Sequence, residues 1–131
     1  MKTVCVRLQD GQDLLAEIKS IAVRENILAG IILSGVGSLS ESNIRLPVIK
    51  GKTSYINPKN SEIDSLHGTV SKNGCHIHII VSDEKGKTFG GHLKEGCKVR
   101  TTCELVIGVL PNFEFKRKPD ELTGFNELSI E

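Results

Sequence analysis

The sequence predicts an α+β fold, with one amphipathic helix laid against a mainly antiparallel or mixed β-sheet. Three observations lead there. One stretch near the N-terminus carries a helical period, and the remainder repeats short β-branched runs between turn signals. The composition of the 131 residues, 38% hydrophobic, 25% charged and 13 glycines, is that of an ordinary globular protein. That length gives room for one core. No internal repeat or linker divides the chain, so residues 1–131 are expected to form a single domain.

The elements follow in order. "TVCVRLQ" is a β-branched run closed by Asp10-Gly11, a strand followed by a turn. From Gln12 the period changes: Leu14, Ile18, Ile21 and Ala22 recur at helical spacing with Glu17, Lys19 and Arg24 between them. This describes a helix of about four turns. Asp10 or Asp13 suits its start, and Gly30 lies beyond its end. "AGIILSGVGS" reads as a buried strand closing in glycines and serines, and "NIRLPVI", "TSYI", "EIDSLHGTVS", "CHIHIIVS", "KTFGGHL" and "KVRTTCELVIGVL" continue the β pattern. The last twenty residues, with "FKRKPDELTG", read as a polar tail ending in a short strand, "NELSI".

Charge and cysteine usage narrow the function classes. Seventeen basic and sixteen acidic side chains leave a net charge of +1, which provides no global field toward nucleic acid or an anionic membrane. No apolar run approaches the roughly 20 residues of a membrane span. No signal-peptide pattern opens the chain, and Cys5, Cys75, Cys97 and Cys103 form no C-x-x-C pair. A cytoplasmic protein with reduced thiols is the expectation.

Three of the four histidines, His76, His78 and His92, fall within "CHIHIIVSDEKGKTFGGHL". Side chains alternate along a strand, so His76 and His78 share one face while Cys75, Ile77 and Ile79 take the other. The reversal at "SDEKGK" brings "FGGHL" back antiparallel. A two-residue loop at Glu84-Lys85 would set Ile77 opposite His92, with the third histidine on the wrong face. Either a longer loop or a bulge at Gly90-Gly91 would set His78 opposite His92. Three neutral imidazoles on a hairpin suit a borderline metal ion and leave a fourth position open for water or a small anionic ligand. Zinc, one ion per chain, is the expected metal, and nickel, copper and iron also accept imidazole.

"CHIHIIVSDEKGKTFGGHLKEGCKVRTTCELVIGVL", with "SLHGTVS" before it, "FKRKPDELTGFNEL" after it, and "VRLQDGQDLL" and "LSGVGSLSESNI" earlier, resembles the plant and prokaryote conserved (PPC) domain in its bacterial and archaeal single-domain form. The resemblance covers nearly the whole chain. It implies a zinc site at His76, His78 and His92, an α+β sheet with one main helix, and assembly as a homotrimer. The H-x-H, acidic turn and G-G-H pattern is also similar to the zinc-ligand stretch of acetolactate decarboxylase, whose fold is related. That second likeness is confined to the hairpin.

Other stretches are weighed against simpler readings. In "KVRTTCELVI", alternation places Lys98, Arg100, Thr102 and Glu104 on one face and Val99, Thr101, Cys103 and Leu105 on the other. Arg100 is a candidate clamp for a carboxylate and Glu104 a candidate proton carrier beside a metal-bound water, although a solvated strand face explains the same pattern. "GKT" occurs twice, but Leu46 and Val81 stand where a phosphate loop needs its first glycine. His67 follows no ligand spacing and reads as structural, and the cysteines read as small buried residues. "KRK", residues 116–118, is the one basic triplet, but two acids follow it at Asp120 and Glu121. The resembling family carries a DNA-binding label, yet no R-G-R-P hook occurs here, so DNA contact is expected to be weak or indirect.

The leading expectation is a homotrimeric, zinc-binding PPC-domain protein with a regulatory role. Its rivals are a zinc-dependent enzyme acting on a small oxo- or hydroxy-acid, with Arg100 or Glu104 assisting, and a non-catalytic interaction scaffold.

Overall fold

Asp13 fixes where the helix begins. In the computed structural model, which describes residues 1–131, one carboxylate oxygen of Asp13 accepts from the Ala16 N–H at 3.0 Å and the other from the Gly96 N–H at 2.7 Å. The helix α1 therefore spans Leu14–Arg24, eleven residues, and is shorter than its period suggests. Gln12 lies outside it and caps the preceding turn, its side-chain oxygen accepting from the Gln9 N–H at 2.7 Å. The C-terminus closes on Asn26, which takes the left-handed conformation (φ 48°). Ile27 N–H donates back to the Ala22 carbonyl and Asn26 N–H to the Val23 carbonyl, the two bonds of a Schellman ending. Gly30 plays no part in that cap. It opens a strand, where an added Cβ would lie 3.1 Å from the Gly108 carbonyl and 3.3 Å from that of Val70.

Ten strands accompany the helix: β1 (Lys2–Gln9), β2 (Gly30–Glu41), β3 (Ile44–Arg45), β4 (Tyr55–Ile56), β5 (Ser61–Ser71), β6 (Gly74–Ser82), β7 (Thr88–Leu93), β8 (Lys98–Val109), β9 (Phe115–Pro119) and β10 (Asn126–Ile130). Eight form one sheet in the order β1-β8-β2-β5-β6-β7-β3-β4. Every pairing in it is antiparallel, which settles the expected choice between antiparallel and mixed.

One face of this sheet buries the core. Leu14, Leu15, Ile18, Ile21 and Ala22 of α1 join Ile32, Leu66, Ile77, Ile79, Leu105 and Ile107 in one apolar cluster. Burial of this kind contributes roughly 1.5–3 kcal/mol per large side chain, so the helix is held by its apolar stripe. The opposite face carries Ile80, Val36 and Leu33, which stay 42%, 57% and 44% exposed. Bulges in β2 and β8 bend the sheet, and the alternation expected on β8 holds on either side of its bulge, with Val99, Cys103 and Leu105 buried and Arg100 and Glu104 exposed, but breaks within it, where Thr101 takes a left-handed φ of 67° and is exposed.

The C-terminal residues depart from the expected tail. "FKRKP" is strand β9, paired in register with β10 from Phe115↔Ile130 to Pro119↔Asn126. Phe115 anchors this ribbon: its ring is buried, its N–H donates to Leu28 O at 2.8 Å, and its carbonyl accepts from the Ser71 hydroxyl and the Asn73 amide. A polar strand with one buried aromatic carries too little apolar alternation to announce itself.

Candidate metal centre

β6 fixes the first two histidines by its pleat. Ile77 and Ile79 are buried at 3% and 1% exposure, which forces His76 and His78 onto the open face. The turn then sets the third. Residues 83–87 make a five-residue loop between the paired Ser82 and Thr88. Its conformation is held by Asp83, whose Oδ1 accepts from the Lys85 and Lys87 N–H groups, both at 2.9 Å. An odd loop keeps His78 opposite His92, and the register runs through Ile79↔Gly91 and Ile80↔Gly90 without a shift. Of the two expected routes to that register, the longer loop is the one used.

The glycines serve a different purpose. A Cβ on Gly91 would lie 2.6 Å from the Arg45 carbonyl and 2.8 Å from Ile44 Cγ2. Gly91 therefore lets β3 approach β7, which pairs Arg45 with His92.

The three imidazoles converge. Ring centroids stand 4.3 Å apart for His78 and His92 and 5.1 Å for each of the other two pairs. One ring nitrogen from each histidine lies within 4.8 Å of the others, so the group could hold a metal ion. The donor set is chemically suited as well. Loss of solvent, then the charge of Arg45 and the neighbouring histidines, holds His92 down to about 4. Desolvation, then His78 and Arg117, lowers His76. Both are neutral at pH 7, the form that ligates.

Beside the triad opens a cleft of about 450 Å³ lined by His76, His92, Arg45, Lys94, Arg117 and Glu127, among others. Lys94 follows His92 by two residues on β7 and its exit, and shares its side of the chain. Arg117 donates from Nη2 to Thr69 Oγ1 at 2.9 Å, and Thr69 is the cross-strand partner of His76. A cavity of similar size, about 480 Å³, lies on the Lys19 and Tyr55 side and contains no histidine; the chemistry belongs to the first.

The remaining candidates fall elsewhere. Arg100 and Glu104 lie on β8, with β2 and β5 between them and β6. At about 4.8 Å per strand this is a lateral distance of roughly 14 Å. Neither residue lines the cleft. Glu104 sits instead opposite Arg7 and Val36. His67 is exposed on β5 directly opposite His78, on the triad's face but outside the group of converging nitrogens. The basic triplet is split by the pleat: Lys116 and Lys118 pair with Glu131 at 3.4 and 3.5 Å, and Arg117 turns into the cleft. Cys97 and Cys103 are buried, Cys75 is half-buried and Cys5 exposed, and all four are free thiols. Burial pushes the Cys103 thiol up to about 11, which leaves it unreactive.

Sequence reasoning passed over Arg45 and Lys94, and set Arg117 aside with the rest of the basic triplet. Arg45 and Arg117 reach the site through non-local pairings, β3 with β7 and β9 beside β5, and no local pattern records these.

Known proteins resemble this chain in sequence and fold. The model of the Plants and Prokaryotes Conserved (PCC) domain matches residues 1–111. The chain is 40% identical over 131 residues to the bifunctional protein GlmU of Synechococcus sp. (strain JA-2-3B'a(2-13)); it is covered completely and spans about one fifth (20%) of that protein. A hypothetical protein from Salmonella cholerae-suis is 35% identical with a TM-score of 0.91, the alignment covering 99% of this chain and 93% of that one. A metal-containing protein from Archaeoglobus fulgidus is 29% identical with a TM-score of 0.82, covering 98% and 94%. Two likenesses concern the fold alone. One is a candidate DNA-binding protein from Bacteroides thetaiotaomicron, at 20% identity and TM-score 0.86. The other is α-acetolactate decarboxylase from Bacillus subtilis, at 16% identity and TM-score 0.55, covering 80% of this chain and 51% of that one.

Proposed function

The chain belongs to the Plants and Prokaryotes Conserved domain family, and from that membership we propose that it is a homotrimeric metalloprotein holding one zinc ion per chain on His76, His78 and His92 and taking a small anionic ligand beside it. The observation that carries this reading is the convergence of three imidazoles within 4.8 Å on a hairpin whose register is fixed by a tied loop. A bound zinc would supply a Lewis-acidic position at the edge of the cleft. His76, His78 and His92 would hold it, and Arg45, Lys94 and Arg117 supply the positive surroundings in which an anion is retained.

Three further features support the reading. The description of the Archaeoglobus relative as metal-containing agrees with the donor set. The exposed Ile80, Val36 and Leu33, on the sheet face opposite the core, suit burial against other copies of the chain, and closed rotational symmetry would cover them without propagating. The match of all 131 residues to one fifth of a longer protein fits residues 1–131 acting as one domain. No helix is long and apolar enough to cross a membrane, and four free thiols suit a reducing cytoplasm. DNA contact is at most indirect in this reading. The basic triplet is divided between an ion-pair cluster and the cleft, and the net charge is +1.

The test is metal analysis of untagged protein together with light scattering. The reading expects close to one zinc per chain and three times the chain mass. His78→Ala should lower zinc affinity by more than the roughly 10- to 100-fold typical of losing a partner outside the ligand set. Full metal retention by that variant, or a clean monomer, would overturn the corresponding half of the proposal.

A further inference from the structure

Six basic side chains of this protein, Lys19, Arg24, Lys59, Lys98, Lys116 and Lys118, sit within 4 Å of a carboxylate. Of the other eleven among the seventeen Lys and Arg residues, Arg45, Lys94 and Arg117 share one cleft. Glu127 lines the same cleft and forms no ion pair with any of them. Three like charges gathered in one cleft repel one another and lose solvent, so the arrangement is favourable chiefly when an anion joins it.

Two of the cations, the guanidiniums, are also held in place. Arg45 is fixed by its pairing on β3 opposite His92, and its Nη1 donates to Leu46 O at 3.4 Å. Arg117 is tied to Thr69 Oγ1 at 2.9 Å, and its Cγ packs 3.1 Å from the position of a Cβ on Gly74. The two guanidiniums therefore stand on different walls, one on β3 and one on β9, with the histidines between them. Each presents a planar fork matched to a carboxylate or phosphate. A volume of about 450 Å³ lies in the range of small-molecule sites, roughly 300–1,000 Å³.

We propose that this cleft recognises a small organic acid bearing two anionic groups, carboxylate or phosphate, with one group on Arg45 and Lys94 and the other on Arg117. This deepens the ligand part of the proposed function, but the guanidiniums rather than the triad define the anion site. A monoanion would satisfy one wall only. A long or apolar ligand would leave the opposite cation unpaired, so charge number is the specificity determinant.

Isothermal titration calorimetry on the zinc-loaded full chain, with succinate, phosphoglycolate and acetate as the three probes, tests this. Succinate, with two carboxylates, or phosphoglycolate, with one carboxylate and one phosphate, should bind at least about tenfold more tightly than acetate, and the better of the two identifies the anionic groups. Arg45→Gln and Arg117→Gln should each weaken that probe by roughly 10- to 100-fold, as expected for a lost charge-assisted hydrogen bond. Arg45→Lys and Arg117→Lys, which keep the charge and serve as checks on folding, should recover part of the loss. Metal content is measured on every sample and should be unchanged in the arginine variants. Absence of binding by either dianion up to about 10 mM, acetate binding as tightly as both, or wild-type affinity in the Arg45→Gln/Arg117→Gln double variant would overturn the proposal. Wild-type protein that takes up no zinc yet binds a dianion through the arginines would instead overturn the metal reading and leave this one standing.

Discussion

Gly90 and Gly91 are adjacent on β7, yet alanine at the two positions should have different consequences. On Gly91 the new Cβ falls 2.6 Å from the Arg45 carbonyl oxygen and 2.8 Å from Ile44 Cγ2. Ordinary carbon contacts begin near 3.5 Å, so β3 would have to retreat by roughly half to one ångström. β3 has little to resist with: it pairs with β7 through Ile44↔Leu93 and Arg45↔His92 and with β4 through two residues more. Ile44 is fully buried, so its displacement opens the core. Overpacking of this kind costs about 1–3 kcal/mol, while replacing glycine returns about 0.4–1 kcal/mol through the unfolded chain. The net loss expected is therefore about 1–2 kcal/mol. For a chain of this size it lowers Tm by roughly 4–8 °C. On Gly90 the nearest atoms are Ile79 O and Ile80 Cγ1, each at 3.2 Å, a tightness that a shift of a few tenths of an ångström relieves, and Ile80 is exposed and free to give. Gly90→Ala should melt within about 2 °C of wild type. Calorimetric melts of the metal-free proteins at equal concentration are the assay. Equal melting of Gly91→Ala and wild type, or equal losses in the two variants, would refute the argument that Gly91 admits β3 to the site.

Two other outcomes follow from the same geometry. In metal-free protein His92 titrates at about 4, against roughly 6.5 when unfolded. Between those values the unfolded chain binds more protons, so stability rises with pH, is complete above the unfolded value and is lost as pH falls toward 4. Urea midpoints should accordingly drop from pH 7 to pH 5, and His92→Gln should flatten the drop; an identical drop in that variant would refute His92 as its source. Thr101 is a β-branched residue in the left-handed region, φ 67°, with its N–H donating to Asp10 Oδ1 at 2.9 Å. Asparagine accepts that conformation, so Thr101→Asn should stabilise by about 1 kcal/mol, read as a Tm increase of roughly 4 °C; an unchanged or lower Tm would refute strain at this bulge.

What the sequence by itself determined is what local periodicity encodes. Alternation placed His76 and His78 together because a strand has a period of two, and Ile77 and Ile79 fixed which face that was. The apolar spacing from Leu14 to Ala22 gave the helix and its buried stripe, although the cap on Asp13 and the Schellman ending at Asn26 shortened it. The third histidine was legible only as a condition on the turn, since one residue more or less in the loop would carry His92 to the other face. The tertiary structure decided that condition through five loop residues tied by Asp83. It also decided everything that reaches the site from far along the chain. Arg45 arrives on a two-residue strand admitted by Gly91, Arg117 arrives on a ribbon whose sequence read as a polar tail, and Arg100 and Glu104 are carried three strand positions away. The physical reason is that strand order depends on which edges pair across the whole chain, whereas a residue's face depends on its neighbours. A sequence therefore records which way each side chain points long before it records what that side chain will meet.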